Sequence, residues 1–163
     1  MENSNCCVCQ KPKATLECGV CHEAVCKKCA QFIEEDAFSF YKVVPKLLQS
    51  TTFCGPCYDR EIAPALAEYE QTMKKAKAIS IFMKDDSKIT QRFSRKENAF
   101  EIKECGDKDE LMMRLAFWTV VAGFNALVDV EIKHEKVKPG GKYQYTNWSG
   151  KGIPTLVTSS RHL

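Results

Sequence analysis

Histidine is scarce in this sequence, three among 163 residues, and acid–base catalysis near neutral pH leans on histidine more than on any other side chain. There is no P-loop, no G-x-G-x-x-G turn and no G-x-S-x-G elbow. Asp85/Asp86 and Asp107/Asp109/Glu110 are sequence neighbours, where turn and helix-cap roles account for them. His134 falls on the alternation of an expected strand, and His162 sits beside the C-terminus. The expectation is a protein that is not an enzyme. Long apolar runs are also missing: no stretch reaches the ~18 consecutive residues a membrane helix needs. Residues Met1 to Cys7 contain neither a basic start nor an apolar segment, so no secretory signal is expected. Asn147-Trp148-Ser149 fits the glycosylation pattern, but without export it would not meet the enzyme, and Arg161-His162-Leu163 is not a peroxisomal address. Hydrophobic residues at 44% and charged residues at 28% fit a soluble globular chain in a reducing, cytoplasmic setting.

Cysteine is abundant, with ten residues. Eight of them form four C-x-x-C pairs within the first 57 residues: Cys6/Cys9, Cys18/Cys21, Cys26/Cys29 and Cys54/Cys57. In a reducing compartment, grouped cysteines point to metal ligands rather than to disulfides. Two thiolates with two residues between them can occupy adjacent corners of a tetrahedron, the arrangement a structural zinc ion prefers. Four such pairs in series make two zinc sites. The intervals between pairs are 8, 4 and 24 residues. Closing one site from the two middle pairs would leave the outer pairs to close a ring of more than 40 residues. The spacing therefore favours interleaved sites, with Cys6, Cys9, Cys26 and Cys29 around one zinc and Cys18, Cys21, Cys54 and Cys57 around the other. Cys7 and Cys105 fall outside the pairs and are expected to be small half-buried thiols.

Charge follows from this assignment. The formal net charge is +3; eight thiolates around two divalent ions subtract four and leave the loaded chain at about −1. Residues 1–60 contain seven Lys/Arg and seven Asp/Glu, so the loaded finger carries about −4. Nucleic acid is not an expected partner, because phosphate binding rests on accumulated lysine and arginine. Lys27 and Lys28, with Lys11 and Lys13, are the finger's local positive charge.

The run Cys18-Gly19-Val20-Cys21-His22-Glu23-Ala24-Val25-Cys26-Lys27-Lys28-Cys29, followed by Phe53-Cys54-Gly55-Pro56-Cys57-Tyr58, resembles the FYVE and FYVE-related zinc fingers. The resemblance covers about the first 60 residues and implies a small treble-clef-like cross-brace holding two zinc ions. Phosphoinositide-binding members have a W-x-x-D motif and a basic, histidine-rich stretch where this chain has Met1 to Asn5 and Ala14-Thr15-Leu16-Glu17-Cys18. The resemblance is closer to the Rab-effector type of FYVE-related finger, which implies a protein partner. A RING-like ubiquitin ligase shares the cross-brace, and there His22, next to Cys21, would be the ligand to consider.

Further along, the aromatic loop from Ala30 to Phe53 is too apolar for a free linker, and Phe38 to Val44 reads as a strand ended by Pro45. Ile62, Leu66, Tyr69, Met73 and Ala76 recur at helical spacing, predicting a linking helix over 62–77. The pattern then changes to short strands: Ile79–Met83, Ile89–Phe93 and Ala99–Cys105. Asp107 begins a capped, largely buried helix that ends at Gly123. In the strand Leu127–Glu135, Val128, Val130 and Ile132 face one way and Asp129, Glu131 and Lys133 the other. Pro139-Gly140-Gly141 turns the chain back into a strand from Tyr143 to Trp148. The predicted organisation is α+β, with a finger over 1–60, a linking helix over 61–78, and over 79–163 an antiparallel sheet with one main helix.

Residues 110–155, through Gly123-Phe124-Asn125-Ala126-Leu127-Val128-Asp129-Val130 and Ser149-Gly150-Lys151-Gly152, are weakly similar to a small oligomeric bacterial family described as heavy-metal-binding. That similarity implies a homo-oligomer formed through sheet edges, and it brings no cysteine ligands. The expected function is a non-enzymatic zinc-binding adaptor. The alternatives are a membrane-targeting phosphoinositide module, in which Lys27, Lys28 and the aromatic loop meet an anionic surface, a RING-like ligase, and a metal sensor.

Overall fold

The computed structural model describes residues 4–157, so His162 and the Arg161-His162-Leu163 ending lie outside the described residues. The chain divides between Gln71 and Thr72 into two compact units.

The first unit has little regular structure. Strands β1 (Leu16–Glu17) and β2 (Ala24–Val25) form an antiparallel pair. Strands β3 (Ala30–Phe32) and β4 (Thr52–Cys54) form another, aligning Ala30 with Cys54 and closing the 24-residue loop between the third and fourth cysteine pairs. Elements of two or three residues are too short to hold themselves together. Their core consists of Cys6, Cys18, Val25, Phe53, Cys54, Cys57 and Ile62, all buried, so cysteines make up much of the interior. A helical turn, α1 (Gly55–Cys57), leads through a π-helical stretch, Tyr58–Ile62, into helix α2 (Ala63–Ala78). On that helical run Ile62 and Ala76 are buried and Leu66, Tyr69 and Met73 partly so, while Glu68, Glu70, Lys74 and Lys75 are exposed. The helical period expected over 62–77 is present.

The strand expected over Phe38–Val44 does not form; the segment is a series of turns. Its aromatic side chains find a helix instead of a neighbouring strand. The Phe38 ring meets Tyr69 of α2 edge-on at 5.4 Å, Tyr41 lies 5.5 Å from the same ring, and the Phe40 N–H donates to Tyr69 Oη at 3.2 Å. Phe38 is 2% exposed.

The second unit is a four-stranded sheet in the order β5-β7-β8-β6, covered by one long helix. The strands are β5 (Ser80–Met83), β6 (Phe100–Cys105), β7 (Ala126–Gly140) and β8 (Tyr143–Thr155); the helices are the short turn α3 (Ser87–Thr90) and α4 (Lys108–Val121). The sheet is not wholly antiparallel, as the sequence had suggested, because β5 runs parallel to β7. The connection from β5 passes through β6 and α4 before returning, long enough for the crossover a parallel pair requires. Ile89–Phe93, expected as a strand, is helical turn and bend. Phe93 packs its ring 5.4 Å from Phe82, and Thr90 is fully buried.

Helix α4 begins as its sequence indicates. The Asp107 carboxylate accepts from the Asp109 N–H at 3.3 Å, and Gly123 ends the helix at a φ of 89° that glycine adopts without strain. Leu111 and Leu115 are fully buried against Leu127, Val130 and Ile102 of the sheet, each such side chain contributing ~1.5–3 kcal/mol by leaving water. The simple alternation predicted for β7 is broken at Asp129. Two residues, Asp129 and Val130, stand opposite Gly152, and Asp129 has a φ of 52°. This β-bulge puts Val130 with Leu127 in the core under α4, while Val128, also buried, is not part of that cluster. Gly150 of β8 lets the helix approach. A Cβ at 150 would lie 2.7 Å from Ile132 Cδ1 and 3.2 Å from Leu111 Cδ2.

Candidate metal centres

The eight paired cysteines converge in two groups, Cys6/Cys9/Cys26/Cys29 and Cys18/Cys21/Cys54/Cys57, with all four sulfurs of each group within 4.8 Å of one another. The grouping alternates along the chain: the first and third pairs meet, and the second and fourth pairs meet.

Backbone geometry explains how each pair turns inward. In the first pair the Val8 N–H donates to Cys6 Sγ at 3.4 Å, the Gln10 N–H donates to the Cys6 carbonyl at 3.0 Å, and Gln10 has a φ of 63°. The second pair repeats this residue for residue. The Val20 N–H donates to Cys18 Sγ at 3.4 Å, the His22 N–H donates to the Cys18 carbonyl at 3.0 Å, and His22 has a φ of 61°. Both pairs are tight knuckles closed by a residue in the left-handed region. Gly19 ties the second knuckle down, because its N–H donates to the Thr52 carbonyl at 2.9 Å and a Cβ there would run into the Ser50 side chain. The third pair is a helical turn in which the Ala30 N–H donates to the Cys26 carbonyl at 2.9 Å. In the fourth, Cys54 is the residue that precedes the short turn α1 and Cys57 is the last residue of that turn.

Among the protein groups, charge in each cluster is uneven. The backbone N–H groups of Cys9 and Cys26 bring the Cys6 thiol down to about 6. Burial opposes ionisation of Cys18, but the N–H groups of Cys54, Cys21 and Val20 outweigh it and bring that thiol also to about 6. The neighbouring Cys26 sulfur pushes Cys29 up to about 12, and burial pushes Cys57 and Cys21 up. Four thiolates in one cluster repel one another unless a cation lies among them, and binding one displaces the remaining protons. Arg60 adds positive charge at the second cluster, its Nη2 donating to Cys57 Sγ at 3.7 Å.

The donor set fits a tetrahedrally bound ion. Sulfurs ~2.3 Å from a central metal stand ~3.8 Å apart along the tetrahedron edge. Cys9 and Cys26 sulfurs are 3.8 Å apart, and Cys21 and Cys54 sulfurs are 3.9 Å apart. Each group of four could bind a metal ion.

The remaining sequence candidates stand elsewhere. His22 is exposed, with Nδ1 3.1 Å from Glu17 Oε1, and it belongs to neither thiol group. His134 lies against the Trp148 ring at 4.9 Å. Cys105 is buried and donates to the Asp107 carbonyl at 3.3 Å. Cys7 lies beside the second cluster, although it follows Cys6 of the first. Burial and the nearby Cys54 push its thiol up to about 12. Lys27 and Lys28 are exposed. Sequence reasoning did not single out the residues that shape the knuckles, Gln10, Gly19 and the main chain of Val8 and Val20. Only Gly19, inside Cys18-Gly19-Val20-Cys21, carried a compositional sign. Beside the second cluster is an open cavity of about 600 Å³, lined by Glu17, His22, Glu35, Gln49 and the hydroxyl residues Ser50 and Thr52 among others.

Among the described residues no helix is long and apolar enough to cross a membrane. Compared with protein-family models, curated proteins and solved structures, the chain finds no match.

Proposed function

We propose that this protein is a non-enzymatic, zinc-dependent adaptor. Two structural zinc ions would hold its first unit in a FYVE-like cross-brace, and its second unit would supply further protein contacts or self-association. The observation that carries this reading is the alternating set of two four-thiol groups, with sulfur spacings of 3.8 and 3.9 Å. Four cysteines favour zinc over the harder magnesium and calcium, which take oxygen ligands. When bound, zinc supplies coordination energy that replaces a hydrophobic core the first unit is too small to build. Cys6, Cys9, Cys26 and Cys29 would hold one ion, and Cys18, Cys21, Cys54 and Cys57 the other. A shell of four thiolates leaves no open position for water or substrate, which supports a structural role.

Native mass spectrometry of the reduced protein tests the reading directly. Two zinc ions per chain support it, and a metal-free chain lighter by pairs of hydrogens, the mark of disulfides, overturns it. Two functional assays test the adaptor assignment. Salt-sensitive sedimentation with phosphatidylinositol 3-phosphate vesicles, lost on replacing Lys27 and Lys28, would make the finger a membrane-targeting module. Discharge of a loaded ubiquitin-conjugating enzyme would make it a ligase. A negative result in both leaves the protein-contact role as the one to pursue.

A further inference from the structure

Two strands of the second unit outrun their sheet. β5 pairs with β7 only as far as Val130, and β6 pairs with β8 only between Trp148 and Gly152. β7 and β8 continue together through Glu135↔Asn147, Lys136↔Thr146 and Val137↔Tyr145 to Gly140↔Tyr143. This part of the hairpin is a two-stranded ribbon ~20 Å long, with neither edge paired within the sheet. Such a ribbon is only marginally stable in water, and its edges are open to a partner.

Its surface chemistry selects the partner. Over residues 133–146 there are four lysines, Lys133, Lys136, Lys138 and Lys142, against a single acid, Glu135, and all four lysines are exposed. None of the four forms an ion pair among the described residues. Elsewhere in the unit Lys84 and Lys151 hold Glu131, at 2.9 and 3.1 Å, and Arg95 holds Asp129 at 2.7 Å. The ribbon also exposes two tyrosines, Tyr143 by 69% and Tyr145 by 44%, with ring centroids 6.1 Å apart.

We infer that this ribbon is a docking surface for single-stranded nucleic acid, a role beyond the adaptor reading and independent of it. Lys136 and Lys138 on β7 and Lys142 at the turn, with Lys133 at the base of the ribbon, match a string of phosphates and gain by releasing its counterions. Neighbouring exposed tyrosines provide ring faces on which unpaired bases stack without regard to sequence. The charge balance that argues against nucleic acid is a sum over the loaded chain and over residues 1–60, whereas residues 133–146 by themselves hold four lysines against one acid. Other occupants fit less well. A second copy of the ribbon brings the same lysines and is repelled, which is how edge lysines prevent strand-to-strand association. Insertion into a lipid surface relies on bulky apolar side chains, and the tip is Pro139-Gly140-Gly141.

The test is fluorescence anisotropy of a labelled, mixed-sequence single strand of about 15 nucleotides, titrated with the full, zinc-loaded chain between about 50 and 200 mM salt. Expected is binding whose log–log salt slope is about −2 to −3, the value for three to four phosphate contacts on a single strand. Lys136→Glu with Lys138→Glu should weaken it at least ~10-fold and flatten the slope. Tyr143→Ala with Tyr145→Ala should weaken it at an unchanged slope. Far-UV circular dichroism checks the fold of each variant; if the Glu pair unfolds, Lys136→Gln with Lys138→Gln takes its place, with the same direction expected. Absence of binding at the lowest salt, binding indifferent to the lysine variants, tighter binding to a blunt duplex of the same sequence, or binding only to phosphatidylserine vesicles would each overturn the inference.

Discussion

Arg95 holds Asp129 in a two-point grip. Nε donates to one carboxylate oxygen at 2.7 Å and Nη2 to the other at 3.3 Å, and Asp129 is the residue at which β7 bulges with a φ of 52°. The same guanidinium donates to the carbonyls of Thr90 and Phe93 and to Thr90 Oγ1. One side chain thus fastens the segment after α3 to the strained point of the sheet. Arg95→Ala should lower the stability of the second unit by ~2 kcal/mol, read as a shift of the urea midpoint, because buried Thr90 loses a partner along with the ion pair.

The grip also has a pH signature. Arg95 holds the Asp129 carboxyl below the ordinary carboxylate range, and Lys84 and Lys151 do the same for Glu131. A depressed folded-state value means a contribution fully present above the unfolded value of about 4 and lost as pH falls through the folded value. Urea midpoints should therefore be flat from neutral pH to about 5 and fall below about 4. Asp129→Asn, less stable at neutral pH, should show a shallower acid fall; an equally steep one would remove Asp129 from the account.

Metal removal should act on one unit. With strands of two and three residues and a core rich in cysteine, the first unit has little to hold it once the thiolates repel one another. Under a strong chelator and reductant, hydrogen exchange should become fast from Cys6 to Cys57 while α4 and the central part of β7 keep their protection. Loss of protection in both at once would show the second unit to depend on the finger.

Cysteine substitutions should separate ligands from bystanders. Cys9→Ser and Cys21→Ser should each reduce bound metal from two ions to one per chain. Cys7→Ser and Cys105→Ser should leave two, although Cys7 lies close to the second cluster. Mass spectrometry under native conditions gives the count.

Two glycines make a paired test of packing. Gly150→Ala drives a methyl toward Ile132, Leu111 and the Glu131 carbonyl and should cost ~1–3 kcal/mol. Gly106→Ala meets nothing within 4 Å and should be neutral within ~0.5 kcal/mol. Thermal denaturation distinguishes them.

The alternating grouping of the eight thiols was legible in three intervals, because a four-residue gap between the middle pairs makes sharing one ion awkward. The start of α4 was legible at Asp107, since an N-cap is a local device. Phe38–Val44 was not. Alternating aromatic residues suit a strand, but whether a partner strand or the Tyr69 ring is in reach is a tertiary fact. The bulge at Asp129 was hidden for a related reason: Asp129 has no glycine's licence for its conformation and is kept there by Arg95, 34 residues away. The repeated left-handed residues Gln10 and His22 share no side-chain chemistry, so only coordinates reveal their common place.

The alternation of cysteine pairs also sets an order of events. Chain synthesis delivers Cys6, Cys9, Cys26 and Cys29 first, whereas the other group waits for Cys54 and Cys57. Of the later group, Cys18 and Cys21 lie within the segment that the earlier group closes. The nascent chain can therefore capture its first ion while the second pair of ligands is still being made, and that closure shortens the loop the second ion must close.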